Sequence, residues 1–224
     1  MAEVDASRPE SPAPMDDPRF GLVREALAAY ASDADDPPVR EGDFFQAAVS
    51  LVVRGREDLD VLLIKRAKRQ GDPWSGHMAL PGGRRSREDT SLLDTAVRET
   101  LEETGVDLNR SGVHLGRLGG VAPQSIHLPR LSIAPFVFGV PHDTPAFVAS
   151  NEVDAIHWVP LAQLASPSVR STLEITLPTG LKQKFPSLEV AGEVVWGLTY
   201  RILTDFLDHL PVEPFRGPGA GEPL

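Results

Sequence analysis

Gly82-Gly83 is followed by a polar loop, an amphipathic stretch and then Arg98-Glu99-Thr100-Leu101-Glu102-Glu103-Thr104-Gly105-Val106. If the second segment is helical, Glu99, Glu102 and Glu103 stand at i, i+3 and i+4. Their side chains then share one face and converge outside it. Like charges so placed cost a few tenths of a kcal/mol per pair on an isolated helix. A hard divalent cation with oxygen ligands reverses that sign, so the pattern predicts a metal site. Arg98 stands beside the acids, where it can orient or neutralise one of them.

Working outward, Leu92, Leu93, Ala96, Val97 and Leu101 supply an apolar stripe, with Asp89 as the N-cap and Gly105 just past the end. At 100° per residue, Leu93, Val97 and Leu101 fall on one side and the three acids mostly on another. One helix can thus both pack and bind. Upstream, Phe20, Leu22, Val23, Ala26, Leu27 and Tyr30 follow Asp17-Pro18 at helical spacing. The runs 44–53 and 59–64 read as a hairpin, and 113–121, 131–140 and 155–159 as strands. A second hairpin is expected at 173–177 and 181–185, around Pro178-Thr179-Gly180. Val194, Val195, Leu198, Ile202, Leu203, Phe206 and Leu207 mark a closing amphipathic helix. No internal repeat is present, and strands before and after a central helix with a closing helix behind are compatible with an α/β class with a mixed sheet without selecting it over other mixed folds.

Composition narrows the function. The 224 residues suffice for one buried core, and 41% hydrophobic with 24% charged is ordinary for a globular chain. Lys and Arg total 22 against 32 Asp and Glu, a net charge of −10 that opposes attraction to a nucleic-acid polymer. With no cysteine, a disulfide, a thiolate zinc site and a cysteine nucleophile are all excluded, which suits a cytoplasmic protein. Residues 1–17 carry Pro9, Pro12 and Pro14 without an export signal's apolar core, and no stretch is apolar enough to span a membrane. The expected organisation is a disordered tail over 1–17, one catalytic domain over 18–210 and a flexible tail over 211–224.

The Gly-Gly turn and acidic helix resemble the signature of the Nudix hydrolase family. Arg98, Glu99, Glu102, Glu103, Gly105 and Val106 match it, whereas Thr100 stands where the family has an apolar residue. The loop is one residue longer than the family's, so counting back to the first glutamate position lands on Thr90. Glu88 and Asp89 are the nearest acids, and the insertion either shifts that role to one of them or abolishes it. The resemblance implies an α/β/α sandwich, Mg²⁺ or Mn²⁺ as cofactor and hydrolysis of a phosphoanhydride. It also implies Glu99, Glu102, Glu103 and the carbonyl of Gly82 as metal ligands, and Glu99, Arg98 and Glu152 as catalytic candidates.

Around this core lie groups suited to a polyanionic small molecule. Lys65-Arg66-Ala67-Lys68-Arg69 and Arg84-Arg85-Ser86-Arg87 flank the Gly-Gly turn, and Arg66, Arg84 and His77 are the candidate phosphate contacts. Trp74 is a candidate base-stacking residue or a loop anchor. The segments Leu62 to Ala67, Gly76 to Gly83, Pro135 to Val137 and Val195 to Leu203 are similar to the coenzyme A pyrophosphatase branch, although Gly71 stands about where that branch has an arginine. Coenzyme A or a thioester is the expected substrate. ADP-ribose, dinucleoside polyphosphates, nucleoside triphosphates and a non-catalytic ligand-binding role are the alternatives. A homodimer is compatible with the resemblance.

Overall fold

The protein is described by a computed structural model covering residues 17–30, 45–55, 58–69, 75–123, 131–176 and 180–210. The tails over 1–16 and 211–224, Gly71 and Trp74 lie outside the described residues. Strand β1 (Phe45–Gly55) organises the main sheet. It lies parallel to β6 (Leu131–Val140) along its whole length, from Phe45 opposite Leu131 to Arg54 opposite Val140. At its far end it forms the expected antiparallel hairpin with β2 (Leu59–Arg66), Val53 facing Val61. Near its start it pairs instead with β4 (Gly82–Arg84), Val49 facing Gly82. The sheet therefore forks along β1, and the Gly-Gly turn enters at the fork. Strands β3 (Met78–Ala79) and β7 (Val153–Pro160) pair with β2, while β5 (Val113–Arg117) flanks β6. The run expected to continue to 121 contributes only an isolated bridge there, Val121 to Ile133.

Period-two alternation sorts the side chains into two cores. Leu51 and Val53 of β1 with Leu59, Val61 and Leu63 of β2 pack beneath α1 (Pro18–Tyr30) and α5 (Gly197–His209). Leu161 and Leu164 of α4 (Leu161–Ala165) join that layer. Ala48, Val52 and Leu62 point the other way, against Leu92 and Ala96 of α2 (Leu92–Thr104) and Leu108 of α3 (Leu108–Ser111). The result is a mixed sheet between helical layers. A three-stranded antiparallel sheet follows, formed by β8 (Arg170–Thr176), β9 (Lys182–Val190) and β10 (Glu193–Trp196). It includes the second expected hairpin, with Leu173 facing Phe185.

Four expectations are corrected. Asp17, assigned to the tail, belongs to the fold, because its carboxylate accepts from the Arg19 main-chain N–H at 2.9 Å as α1 begins. The closing helix starts at Gly197 and not at Val194, because Val194 and Val195 pair with Glu189 and Leu188 in the second sheet. The N-cap of α2 is Ser91, whose hydroxyl accepts from Asp94 N–H while Asp94 accepts from Ser91 N–H, a reciprocal capping box. Gly105 ends the helix in the left-handed conformation, as expected.

The fourth correction concerns the packing face of α2. Leu92 and Ala96 are buried as expected and Leu93 and Val97 pack half-buried against the same core, but Leu101 is 43% exposed and Thr95, Thr100 and Thr104 complete the buried face. Small side chains there let the helix approach β1 closely, and each hydroxyl finds a partner. Thr100 donates to Ser50 Oγ at 2.7 Å, and Ser50 donates to Ala96 O at 3.1 Å. The departure at Thr100 is thereby matched by a serine on the facing strand, since a buried hydroxyl without a partner is costly.

Candidate active site

Two glycines and one helical turn build the site. Gly82 has φ +153°, and a Cβ there would meet Ala48 O at 2.3 Å, so a side chain is excluded by the β1–β4 pairing itself. Its N–H donates to Glu103 Oε2 at 2.8 Å. The Glu99 carboxylate lies where a Gly83 side chain would stand, 2.5 Å from that ideal Cβ position. The space beside Gly83 is thus filled by a carboxylate reaching down from α2, and that beside Gly82 by β1.

The acids experience different surroundings. Glu103 is 5% exposed, and burial pushes its pKa up to about 7. The Gly82 N–H and the Arg66 charge oppose that rise, whereas Glu99 and Glu152 add to it. Glu99 is raised as well, first by burial and then by the Glu102 and Glu152 charges, against the pull of Arg98. The side chain of Glu102 is 56% exposed.

Arg98 ties this group together. Its Nη1 donates to Glu99 Oε1 at 2.9 Å and to Glu102 Oε2 at 3.2 Å. Its Nε and Nη2 form a fork on Asp89, at 2.9 Å each, and Nη2 also donates to Arg84 O. Asp89 accepts further bonds from Ser86 N–H and the Thr95 hydroxyl, both within 2.9 Å. Held chiefly by Arg98, the Asp89 carboxyl lies far below the usual range. Asp89, one residue before the position that counting back from Arg98 reaches, is thus the acid on which the arginine forks. Thr90 donates to Asp94 and does not enter the site. Arg98, expected as a catalytic residue, here directs its donors to carboxylates and the main chain.

The expected convergence of the acids is realised in part. Glu99 and Glu103 come down together onto Gly82-Gly83, while Glu102 turns outward to Arg98. Among the described residues no three acidic or imidazole side chains stand together as a finished metal cage. The donor set nevertheless fits a hard divalent cation, because it is all oxygen, partly desolvated and mutually repelling. Glu99, Glu102 and Glu103 are the residues that would hold one.

The surrounding candidates separate. Arg66 lies close enough to Glu103 to act on its charge. Glu152 sits in a turn whose main chain is stitched to the end of β2, Ala67 N–H donating to Glu152 O at 2.8 Å. Arg84 stacks its guanidinium over Phe45, 4.4 Å from the ring centroid. His77 packs edge-on against Trp196, centroids 5.0 Å apart, so its ring serves the junction with the second sheet. Sequence reasoning did not find Ser50 or Asn151, and it named Arg69 only as one member of a basic run. The first is visible only once β1 and α2 are packed, and the other two only once 69 and 151 are brought together.

A family model described as the NUDIX domain matches residues 44–178, which span both the glycine turn and the acidic helix. The chain belongs to the Nudix hydrolase family. It is 40% identical over 131 residues to an uncharacterized protein of Schizosaccharomyces pombe, covering 56% of this chain but only 39% of that one. It is 30% identical over 158 residues to the uncharacterized Nudix hydrolase NudL of Yersinia pestis, covering 70% of this chain and 76% of the relative. Among solved structures, a MutT/nudix family protein from Enterococcus faecalis aligns with a TM-score of 0.49 at 18% identity, over 87% of this chain and 72% of that one. No described helix is long and apolar enough to cross a membrane.

Proposed function

We propose that this Nudix chain is a metal-dependent pyrophosphohydrolase of nucleoside diphosphate-linked compounds. Its substrate is coenzyme A or a coenzyme A thioester, cleaved to adenosine 3′,5′-bisphosphate and a 4′-phosphopantetheine product. The observation that carries the reaction is the pair of desolvated carboxylates, Glu99 and Glu103, laid on the backbone of Gly82-Gly83. A bound Mg²⁺ or Mn²⁺ would polarise the phosphoryl oxygens and acidify a water. Arg98 fixes the direction of Glu99 and Glu102, and Asp89 fixes Arg98. Arg66 supplies positive charge beside Glu103 for the substrate phosphates. Glu152, half exposed beside the acids, and Glu99 are the carboxylates available to take a proton from water. The choice of coenzyme A is supported by the sequence likeness upstream of the glycine turn and by the basic residues around it.

The test is product mass from a panel of coenzyme A, acetyl-coenzyme A, dephospho-coenzyme A, ADP-ribose and a diadenosine polyphosphate, with Mg²⁺, Mn²⁺ or excess chelator. Metal-dependent release of adenosine 3′,5′-bisphosphate, with dephospho-coenzyme A cleaved ~10-fold more slowly, is expected if a charge-assisted contact of ~1.5 kcal/mol reads the 3′-phosphate. Faster cleavage of ADP-ribose or a dinucleoside polyphosphate would replace the substrate and keep the reaction. Binding without turnover of any compound would replace the reaction.

A further inference from the structure

The basic residues flanking the site are engaged in different ways. Lys65 pairs with Glu193 across the junction with the second sheet, and Arg84 is stacked on Phe45. Arg69 reaches across to the acidic side. Its Nη1 donates to Glu152 Oε1 at 2.9 Å and its Nη2 to Asn151 Oδ1 at 2.8 Å. The turn it grips is anchored on both flanks. Ala67 N–H holds Glu152 O, and Ala149 N–H donates to Glu103 O at 3.2 Å, so main-chain bonds connect Glu152 to the acidic helix and to the end of β2. The fork itself is open to water, with about half of each side chain exposed. Ion pairs so exposed contribute little, so a better partner can exchange into them. A diphosphate is such a partner, since a guanidinium binds phosphate oxygens in the same forked geometry and each phosphate carries more charge than one carboxylate.

We propose that Arg69 is a phosphate-binding residue whose resting partner is Glu152, so that an arriving substrate diphosphate draws the guanidinium away and leaves the Glu152 carboxylate uncompensated beside the reacting water. This rests on the hydrolase reading above. In the step so enabled, the water oxygen bonds to phosphorus and its proton passes to Glu152. The bridging P–O bond breaks, its electron pair staying on the departing phosphate. Asn151 keeps the turn in register by holding the second arm of the fork in the resting state. Arg69 thereby binds the substrate and couples its arrival to release of the base.

The exchange is tested by a double-mutant cycle of binding, using methylenediphosphonate, a non-cleavable diphosphate, with Mg²⁺ in titration calorimetry on the full chain. Arg69→Ala is expected to weaken binding about 10-fold. Glu152→Gln is expected to tighten it roughly 3- to 5-fold by removing the competitor. The tightening should vanish when Arg69→Ala is already present. Equal tightening in both backgrounds would reduce Glu152 to a repelling charge and overturn the exchange, as would unchanged binding on Arg69→Ala. Kinetics give a second readout: Arg69→Ala should raise KM more than it lowers kcat, and Glu152→Gln the reverse. A wild-type chain that cleaves nothing in the panel would remove the hydrolase reading while leaving the binding cycle to decide the exchange.

Discussion

Replacing Asp89 with asparagine keeps the shape of the side chain and removes its charge. Four donors converge on that carboxylate: two from Arg98, one from Ser86 N–H and one from Thr95. An asparagine has one acceptor oxygen and turns an NH₂ toward donors that cannot accept from it. At least one charge-assisted bond of ~1.5 to 3 kcal/mol is lost, with a further cost for donors left facing each other. Arg98 keeps Glu99 and Glu102 and is partly exposed, which moderates the ~3 to 5 kcal/mol of a broken buried pair. The expected loss is about 2 to 4 kcal/mol, or a fall of roughly 5 to 15 °C in Tm for a chain of this size. Urea and thermal melts measure it directly. The pH dependence checks the cause. Arg98 lowers the folded pKa of Asp89, so its contribution is complete above the unfolded value near ~3.9 and is lost as pH falls toward the folded value. The unfolded chain binds more protons in that window, so wild-type stability should rise with pH there, and the Asp89→Asn variant should lack that component. A loss below ~1 kcal/mol with an unchanged acid slope would refute the reasoning.

Further outcomes are expected at the glycine turn and the helix. Gly83→Ala places a methyl group against the carboxylate end of Glu99, which can give way more readily than backbone, so Tm should change little while turnover in the product assay falls at least ~10-fold, whereas Gly82→Ala strikes backbone at Ala48 and should unfold the chain in the same melts. Glu103→Gln should reduce turnover at least ~10²-fold and weaken metal binding measured by calorimetry, and excess chelator should abolish turnover in the wild type. Thr100→Val should destabilise by about 1 kcal/mol in urea melts, and adding Ser50→Ala should cost less than the sum of the two single changes because the two hydroxyls satisfy one another.

Much of the site could be read without coordinates because it is local. Glu99, Glu102 and Glu103 share a helical turn, and the helix end at Gly105 follows from backbone chemistry alone. The first hairpin and the second, each pairing strands close together in sequence, were legible for the same reason. What escaped depends on contacts between distant segments. Of the expected α2 stripe only Leu101 is exposed; the threonines beside it were missed because hydropathy treats threonine as a surface residue, yet Thr95 and Thr100 are buried against partners on the preceding loop and on β1. Asp89 reads locally as a cap, and only its reach to Arg98 reveals a different use. Val194 and Val195 fit a helical period, but their pairing with Glu189 and Leu188 decides for strand. Arg69 and Glu152 meet only because β7 lies alongside β2.

The parallel ladder between β1 and β6 carries a kinetic consequence. Phe45 can face Leu131 only after the chain between them has closed into one loop, and Gly82, Asp89, Arg98 and all three helical acids lie inside it. Closing a flexible loop carries an entropic cost that rises with its length, and non-local pairing of this kind slows folding. The helix can form earlier by itself, but its seat on β1 is complete only when the sheet is. Refolding followed by recovery of turnover should therefore track the slow formation of the central sheet, with no active species appearing during the faster growth of helix.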